Sequence, residues 1–80
     1  MTVKDAVAAR FRDLCTQHRI KPNELANISG VTPSTVYSLL DDRRRDISII
    51  TIKKLCDGLN MTLGDFFSTP EFDALEQEII

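Results

Sequence analysis

Between positions 32 and 38 the chain sets hydroxyls on Thr32, Ser34, Thr35, Tyr37 and Ser38, with Pro33 among them. A hydroxyl both donates and accepts hydrogen bonds, so this run suits targets of mixed polarity such as base edges and phosphates. Tyr37 adds a ring that can stack. Three guanidiniums follow at Arg43, Arg44 and Arg45, and their geometry fits charge-assisted, bidentate contact with phosphate. Upstream, Lys21 and Asn23 can also reach phosphate, helped by the free N–H groups of a helix start. Two plainer readings stand beside these. The hydroxyl run also fits a polar helix on the surface of a bundle. The arginines also fit a solvated loop neutralised by Asp41, Asp42 and Asp46.

The segment Pro22 to Asp41, PNELANISGVTPSTVYSLLD, contains the elements that would position these groups. It reads as a helix, a three-residue turn and a second helix. Leu25 and Ala26 fall on the inner face of the first helix. Gly30 stands where the turn asks for a left-handed backbone, which glycine adopts at least cost. Thr32 is a good N-cap, and Pro33 at the next position loses no hydrogen bond. Val36, Leu39 and Leu40 make the hidden side of the second helix. In DNA-binding proteins of this design that helix enters the major groove, and its N-terminal residues touch base edges. The spacing therefore points to double-stranded DNA, with a recognition helix over residues 33–41. None of the exposed side chains assigns a base as firmly as Arg to guanine or Asn to adenine would.

The rest of the chain supports that segment. Val3, Val7, Phe11, Leu14 and His18 recur at helical spacing and predict a helix over 3–18 with one apolar stripe. Arg10, Arg12 and Asp13 lie off it. Ser48 can cap a fourth helix whose apolar face is Ile49, Ile52, Leu55, Cys56 and Leu59, closed by Gly58-Leu59-Asn60. Thr62 to Asp65 resembles a capping box with Asp in place of Glu, opening a short fifth helix that ends in Phe66-Phe67. Thr69-Pro70-Glu71 repeats the cap-then-proline start. Glu71 to Glu78 is therefore expected as a sixth, amphipathic helix with Phe72, Leu75 and Ile79 on its apolar side. No alternating strand pattern occurs, so the expected class is all-α. Residues 1–69 form the DNA-binding domain, and residues 70–80 an acidic C-terminal helix or tail.

Eighty residues make one domain. A chain this short buries only about 60% of its unfolded surface, so it must pack well or dimerise. The net charge is −2, but all ten Lys and Arg lie within residues 1–60 against seven acids, while residues 61–80 hold five acids and no base. A basic body with an acidic tail fits a module whose tail faces away from DNA. No stretch approaches the ~18 apolar residues of a membrane span, and no export segment opens the chain. Cys15 and Cys56 stand alone in helical patterns and read as reduced core residues, consistent with the cytoplasm. No metal-ligand spacing, cofactor motif or glycine-rich phosphate loop is present. His18 lacks a catalytic setting and Ser34 lacks an activating base, so catalysis is not expected.

The pattern resembles the phage-repressor and Cro-type helix-turn-helix family, also called the xenobiotic-response-element family. The likeness runs from about Val3 to Phe67. It rests on Glu24-Leu25-Ala26, on SGVTPSTV from Ser29 to Val36, and on IKKLCDGLNMTLGDFF from Ile52 to Phe67. The last segment and EFDALEQEI from Glu71 to Ile79 are similar to small regulators of low-GC Gram-positive bacteria. The resemblance implies a compact five-helix, lambda-repressor-like DNA-binding domain, usually dimeric, that regulates transcription at an operator. The chain departs from the family pattern at three places. Pro22 replaces a polar residue at the start of helix two. Asp41-Asp42 replaces Asn-Gly after helix three, setting two acids beside phosphates. Pro33-Ser34 replaces a glutamine pair, so the operator sequence does not carry over.

The expected function is thus a sequence-specific DNA-binding regulator with no effector domain and no small-molecule effector. Control would come from its concentration, from dimerisation or from a partner protein. The alternative is a protein-interaction module, antitoxin-like or anchoring, that binds through its C-terminal apolar surface. A homodimer is expected through Phe66, Phe67, Phe72, Leu75 and Ile79, with Ile80 adding apolar area, because adjacent phenylalanines cannot both enter one core. The competing arrangement has the sixth helix fold back and cover that patch within one chain.

Overall fold

The computed structural model describes every residue except Arg45 and Ile80. All of its regular structure is helical: α1 (Val3–His18), α2 (Pro22–Ser29), α3 (Pro33–Leu40), α4 (Ile49–Gly58), α5 (Leu63–Phe67) and α6 (Pro70–Asp73). The expected starts recur as caps. Thr32 and Thr62 accept from the backbone N–H groups of Thr35 and Asp65, and Ser48 accepts from that of Ile50. At α5 only half of the expected box forms, since Thr62 caps Asp65 without the reciprocal bond. The full box lies at α1, where Thr2 Oγ1 accepts from Asp5 N at 3.1 Å and Thr2 N donates to Asp5 Oδ2 at 2.9 Å. Those bonds to Thr2, the backbone one foremost, hold the Asp5 carboxyl below its usual range.

Left-handed residues follow α1, α2 and α4, at Arg19, Gly30 and Asn60. Gly30 takes φ 70° after α2, and the Val31 N–H donates back to Ala26 O at 3.1 Å. After α4 the left-handed residue is Asn60, at φ 57°, with Met61 N donating to Cys56 O. Gly58 is helical and has a different task. A Cβ there would lie 3.1 Å from Ser29 Cα and closer still to the Ser29 side chain, so glycine lets α4 approach α2.

The core is built from Val7, Phe11, Leu14, Leu25, Ala26, Val36, Leu39, Ile52, Leu55, Cys56 and Phe66. Cys15 and Cys56 are buried free thiols, and burial pushes both above the usual thiol range. Before the C-terminal segment, three expected apolar positions are exposed. Val3 and His18, the ends of the α1 stripe, are exposed, as is Ile49 at the start of α4. End turns of a helix project past the bundle they pack on, so the periodic stripe outruns the surface that covers it.

The largest correction is at the C-terminus. The sixth helix spans Pro70–Asp73 instead of reaching Glu78. Glu71 and Asp73 sit in the first turn, where negative charge is favoured, but Glu76 and Glu78 would fall at the negative end of a longer helix with no base to offset them. The two phenylalanines do share one cluster. Phe66 is fully buried, 4.5 Å between ring centroids from Phe11, while Phe67 packs edge-on to Phe66 at 4.9 Å and to Phe72 at 4.9 Å. Phe66 therefore offers no surface to a second copy. Phe67, Phe72 and Leu75 are half-buried, and Ile79 is 87% exposed. Beyond α6 the chain returns to the start of α1, where Val3 N donates to Glu78 Oε2 at 3.1 Å.

Candidate nucleic-acid interface

The α2–turn–α3 unit, with Lys21 as the N-cap of α2, carries the candidate groups from Lys21 to Ser38. Leu25, Ala26, Val36 and Leu39 pin α2 and α3 to the core. With those positions inside, the intervening residues of α3 point outward. Pro33 and Ser34 are exposed, as is the Thr32 cap, while Thr35 and Ser38 are half-buried. Tyr37 is 51% exposed. Helix α3 ends at Leu40, and Asp41 is its extended C-cap.

A cleft of about 240 Å³ runs from α3 to the start of α4 and is lined by Thr35, Ser38, Arg44, Asp46, Ser48 and Thr51. It gathers two of the α3 hydroxyls and one guanidinium along a single path. Arg44 is exposed, and its side chain makes no hydrogen bond or ion pair among the described residues. Arg45 lies outside the described residues. Lys21 and Asn23 are exposed at the start of α2, where the Lys21 backbone N–H donates to Glu24 Oε1 at 3.2 Å.

Arg43 is placed differently. Its Nε and Nη2 donate to the two carboxylate oxygens of Asp41, each at 3.1 Å, and its backbone N–H adds a bond of 2.9 Å. Those bonds hold the Asp41 carboxyl down at about 2, led by the Arg43 side chain. The Arg43 guanidinium is correspondingly pushed up. Here the neutralised-loop arrangement holds, and a phosphate must compete with Asp41 for the guanidinium. Asp42 lies 3.9 Å from Arg12, an exposed pair worth little.

Two residues absent from the sequence-based set fix α3 in place. Lys4 is only 4% exposed, and its ammonium donates to the Asp41 carbonyl. Arg12 Nη2 donates to Leu40 O at 2.6 Å. Both lie on α1 and both meet carbonyls at the negative end of α3, where cations are favoured. Ala8, buried between them, leaves room for that approach. Arg10 does the same for α5, through Phe66 O at 2.9 Å and Asp65 O at 3.2 Å. The only sequence signal was three bases on a helix whose apolar stripe excludes them. Three of the ten bases are thus tied to helix ends, Lys4 buried, Arg10 half-buried and Arg12 still exposed. The cations left facing outward on the α3 side are fewer than composition indicates, with Lys21 and Arg44 foremost.

No helix among the described residues is long and apolar enough to cross a membrane, and no group of three His, Cys, Asp or Glu among them could hold a metal ion. A family model for the Cro/C1-type HTH DNA-binding domain matches residues 10–71. Among solved structures the chain is similar to the one titled "Crystal structure of the prophage Lp1 protein 11". The two are 29% identical with a TM-score of 0.83, over 94% of this chain and 99% of that one. A search of curated proteins gives no match.

Proposed function

The chain belongs to the family of Cro/C1-type helix-turn-helix DNA-binding domains, and from that premise we propose that it is a sequence-specific transcriptional regulator. In this reading α3 lies in the major groove with Ser34, Tyr37 and Ser38 toward base edges. Thr32 and Pro33 shape the start of that helix, and Thr35 lies beside Ser34 on its DNA side. Lys21, Asn23, Arg43, Arg44 and Arg45 face the sugar-phosphate backbone. The observation that carries the reading is the exposed face of α3: a run of hydroxyls and a half-exposed tyrosine on a helix whose far end is clamped by Lys4 and Arg12.

One α3 reaches only a few base pairs, so the reading includes two copies on half-sites about one helical turn apart. The C-terminal surface left for pairing is smaller than the sequence implied, comprising Phe67, Phe72, Leu75 and Ile79 without Phe66. Sedimentation of the full chain at tens of micromolar, with and without operator duplex, tests this part. A monomer without duplex together with a single copy per duplex refutes it.

Salt titration of binding to random duplex tests the DNA reading. Log affinity is expected to fall with log salt at roughly −0.9 per phosphate contacted, hence a slope near −2 to −4 per copy for Lys21 and the arginines. An affinity that does not move with salt overturns it.

A further inference from the structure

The start of α3 ties three hydroxyls into one hydrogen-bonded group. Thr32 Oγ1 lies 3.1 Å from Ser34 Oγ and 2.8 Å from Thr35 Oγ1, and it accepts from the Thr35 backbone N–H at 3.3 Å. A hydroxyl has one proton to give and two lone pairs with which to accept. The Thr35 N–H occupies one lone pair of Thr32. One lone pair and one proton remain for two hydroxyl neighbours. One neighbour must therefore donate to Thr32, and the other must accept from it.

Thr32 is then saturated and has nothing to offer a further partner. The neighbour that donates faces outward with lone pairs alone. The neighbour that accepts keeps its own proton. Reversing the wiring exchanges Ser34 and Thr35 but leaves the total unchanged: one free O–H and three lone pairs, with one of the two hydroxyls able only to accept. Ser34 is exposed, Thr35 lines the cleft it shares with Ser38 and Arg44, and both hydroxyls lie within 3.1 Å of the one atom Thr32 Oγ1.

We propose that Thr32 is a positioning residue that sets the hydrogen-bonding pattern of Ser34 and Thr35, and that this pattern selects adenine at the base they face. The inference rests on the reading of α3 as the DNA-reading helix. In the major groove, adenine alone carries a donor, N6–H, and an acceptor, N7, on a single base. Guanine presents two acceptors, which would set one of its lone pairs against the proton-less hydroxyl. Cytosine offers a donor only, and thymine one acceptor and a methyl group. An isolated Ser or Thr reads either kind of edge. Three coupled hydroxyls do not, because Thr32 fixes how many protons face outward.

The test is selection from a random duplex pool with the full chain and its variants, each checked by thermal melting. Thr32→Ser keeps the hydroxyl count and is expected to select the parental motif. Thr32→Asn keeps the helix cap, since Asn ranks among the best N-cap residues, but changes the count. Its carbonyl takes the Thr35 N–H and its amide protons go to Ser34 and Thr35, so both hydroxyls keep their own protons. Two donors fit the two acceptors of guanine. The parent is expected to prefer adenine by about tenfold or more at one position, and Thr32→Asn to shift that position toward guanine while sparing the others. Ser34→Ala should relax the same position. A Thr32→Asn protein that melts like the parent and selects the parental motif overturns the inference, leaving Thr32 as a cap alone. A parent that enriches no motif overturns the DNA reading and this inference with it, so the two failures are told apart.

Discussion

Replacing Asp41 with Asn is expected to strengthen DNA binding, although it alters a residue that need not touch DNA. Asp41 holds the Arg43 guanidinium in a bidentate pair and accepts its backbone N–H. Arg43 is 90% exposed in that pair, so releasing it costs little. The amide keeps an acceptor for the Arg43 backbone N–H, and the Asp41 carbonyl that receives Lys4 is untouched. What changes is one negative charge and the competition for one guanidinium. If Arg43 then neutralises one more phosphate, the salt slope steepens by about 0.9, which at 0.1 M salt corresponds to about eightfold tighter binding. Between 50 and 200 mM salt the advantage should shrink about 3.5-fold. Fluorescence anisotropy with a labelled duplex across that range measures both quantities. Arg43→Ala should cost little in the parent and abolish the gain in the Asp41→Asn background, a coupling that a double-mutant cycle isolates. An unchanged slope, or weaker binding by Asp41→Asn, refutes the competition.

Three further predictions follow from single contacts. Lys4→Met keeps the apolar stem but leaves the Asp41 carbonyl without its donor. A loss of about 1–3 kcal/mol is expected, with faster amide exchange at the end of α3 and weaker DNA binding; exchange confined to α1 would contradict the clamp. Gly58→Ala drives a methyl group into Ser29. It should cost about 1–3 kcal/mol by denaturant unfolding, and an unaltered midpoint would show that α2 and α4 are not so close. NMR titration should place the Asp41 carboxyl at about 2, below its ordinary 3.8, and Arg43→Ala should return it upward. Because the folded value is depressed, the pair stabilises the fold above about pH 4 and is lost as the pH falls toward 2.

The helix pattern, the glycine turn and the caps at Thr32, Ser48 and Thr62 were legible because each rests on local chemistry. Periodicity tells which face is apolar, and Leu25, Ala26, Val36 and Leu39 are indeed inside. It does not tell how far the covering surface extends, which is why Val3, His18 and Ile49 are exposed. Nor do backbone carbonyls appear in a sequence, so the tasks of Lys4, Arg10 and Arg12 at helix ends were invisible. Those tasks matter for function, since Lys4 and Arg12 hold the end of α3. The phenylalanine pair misled for a related reason. A short helix followed at once by α6 lets Phe66 enter the core while Phe67 turns onto Phe72, an option that neighbours in a long helix would lack.

The most direct test of α3 as the DNA-reading helix is an NMR titration of the full chain with its selected duplex, following each backbone amide. The largest shifts are expected along 33–40, at Lys21 and Asn23 and at Arg43 and Arg44, with little change from Phe67 to Ile79 except where a second copy pairs. Shifts confined to the C-terminal surface, with α3 unmoved, would contradict the account and favour a protein-interaction module.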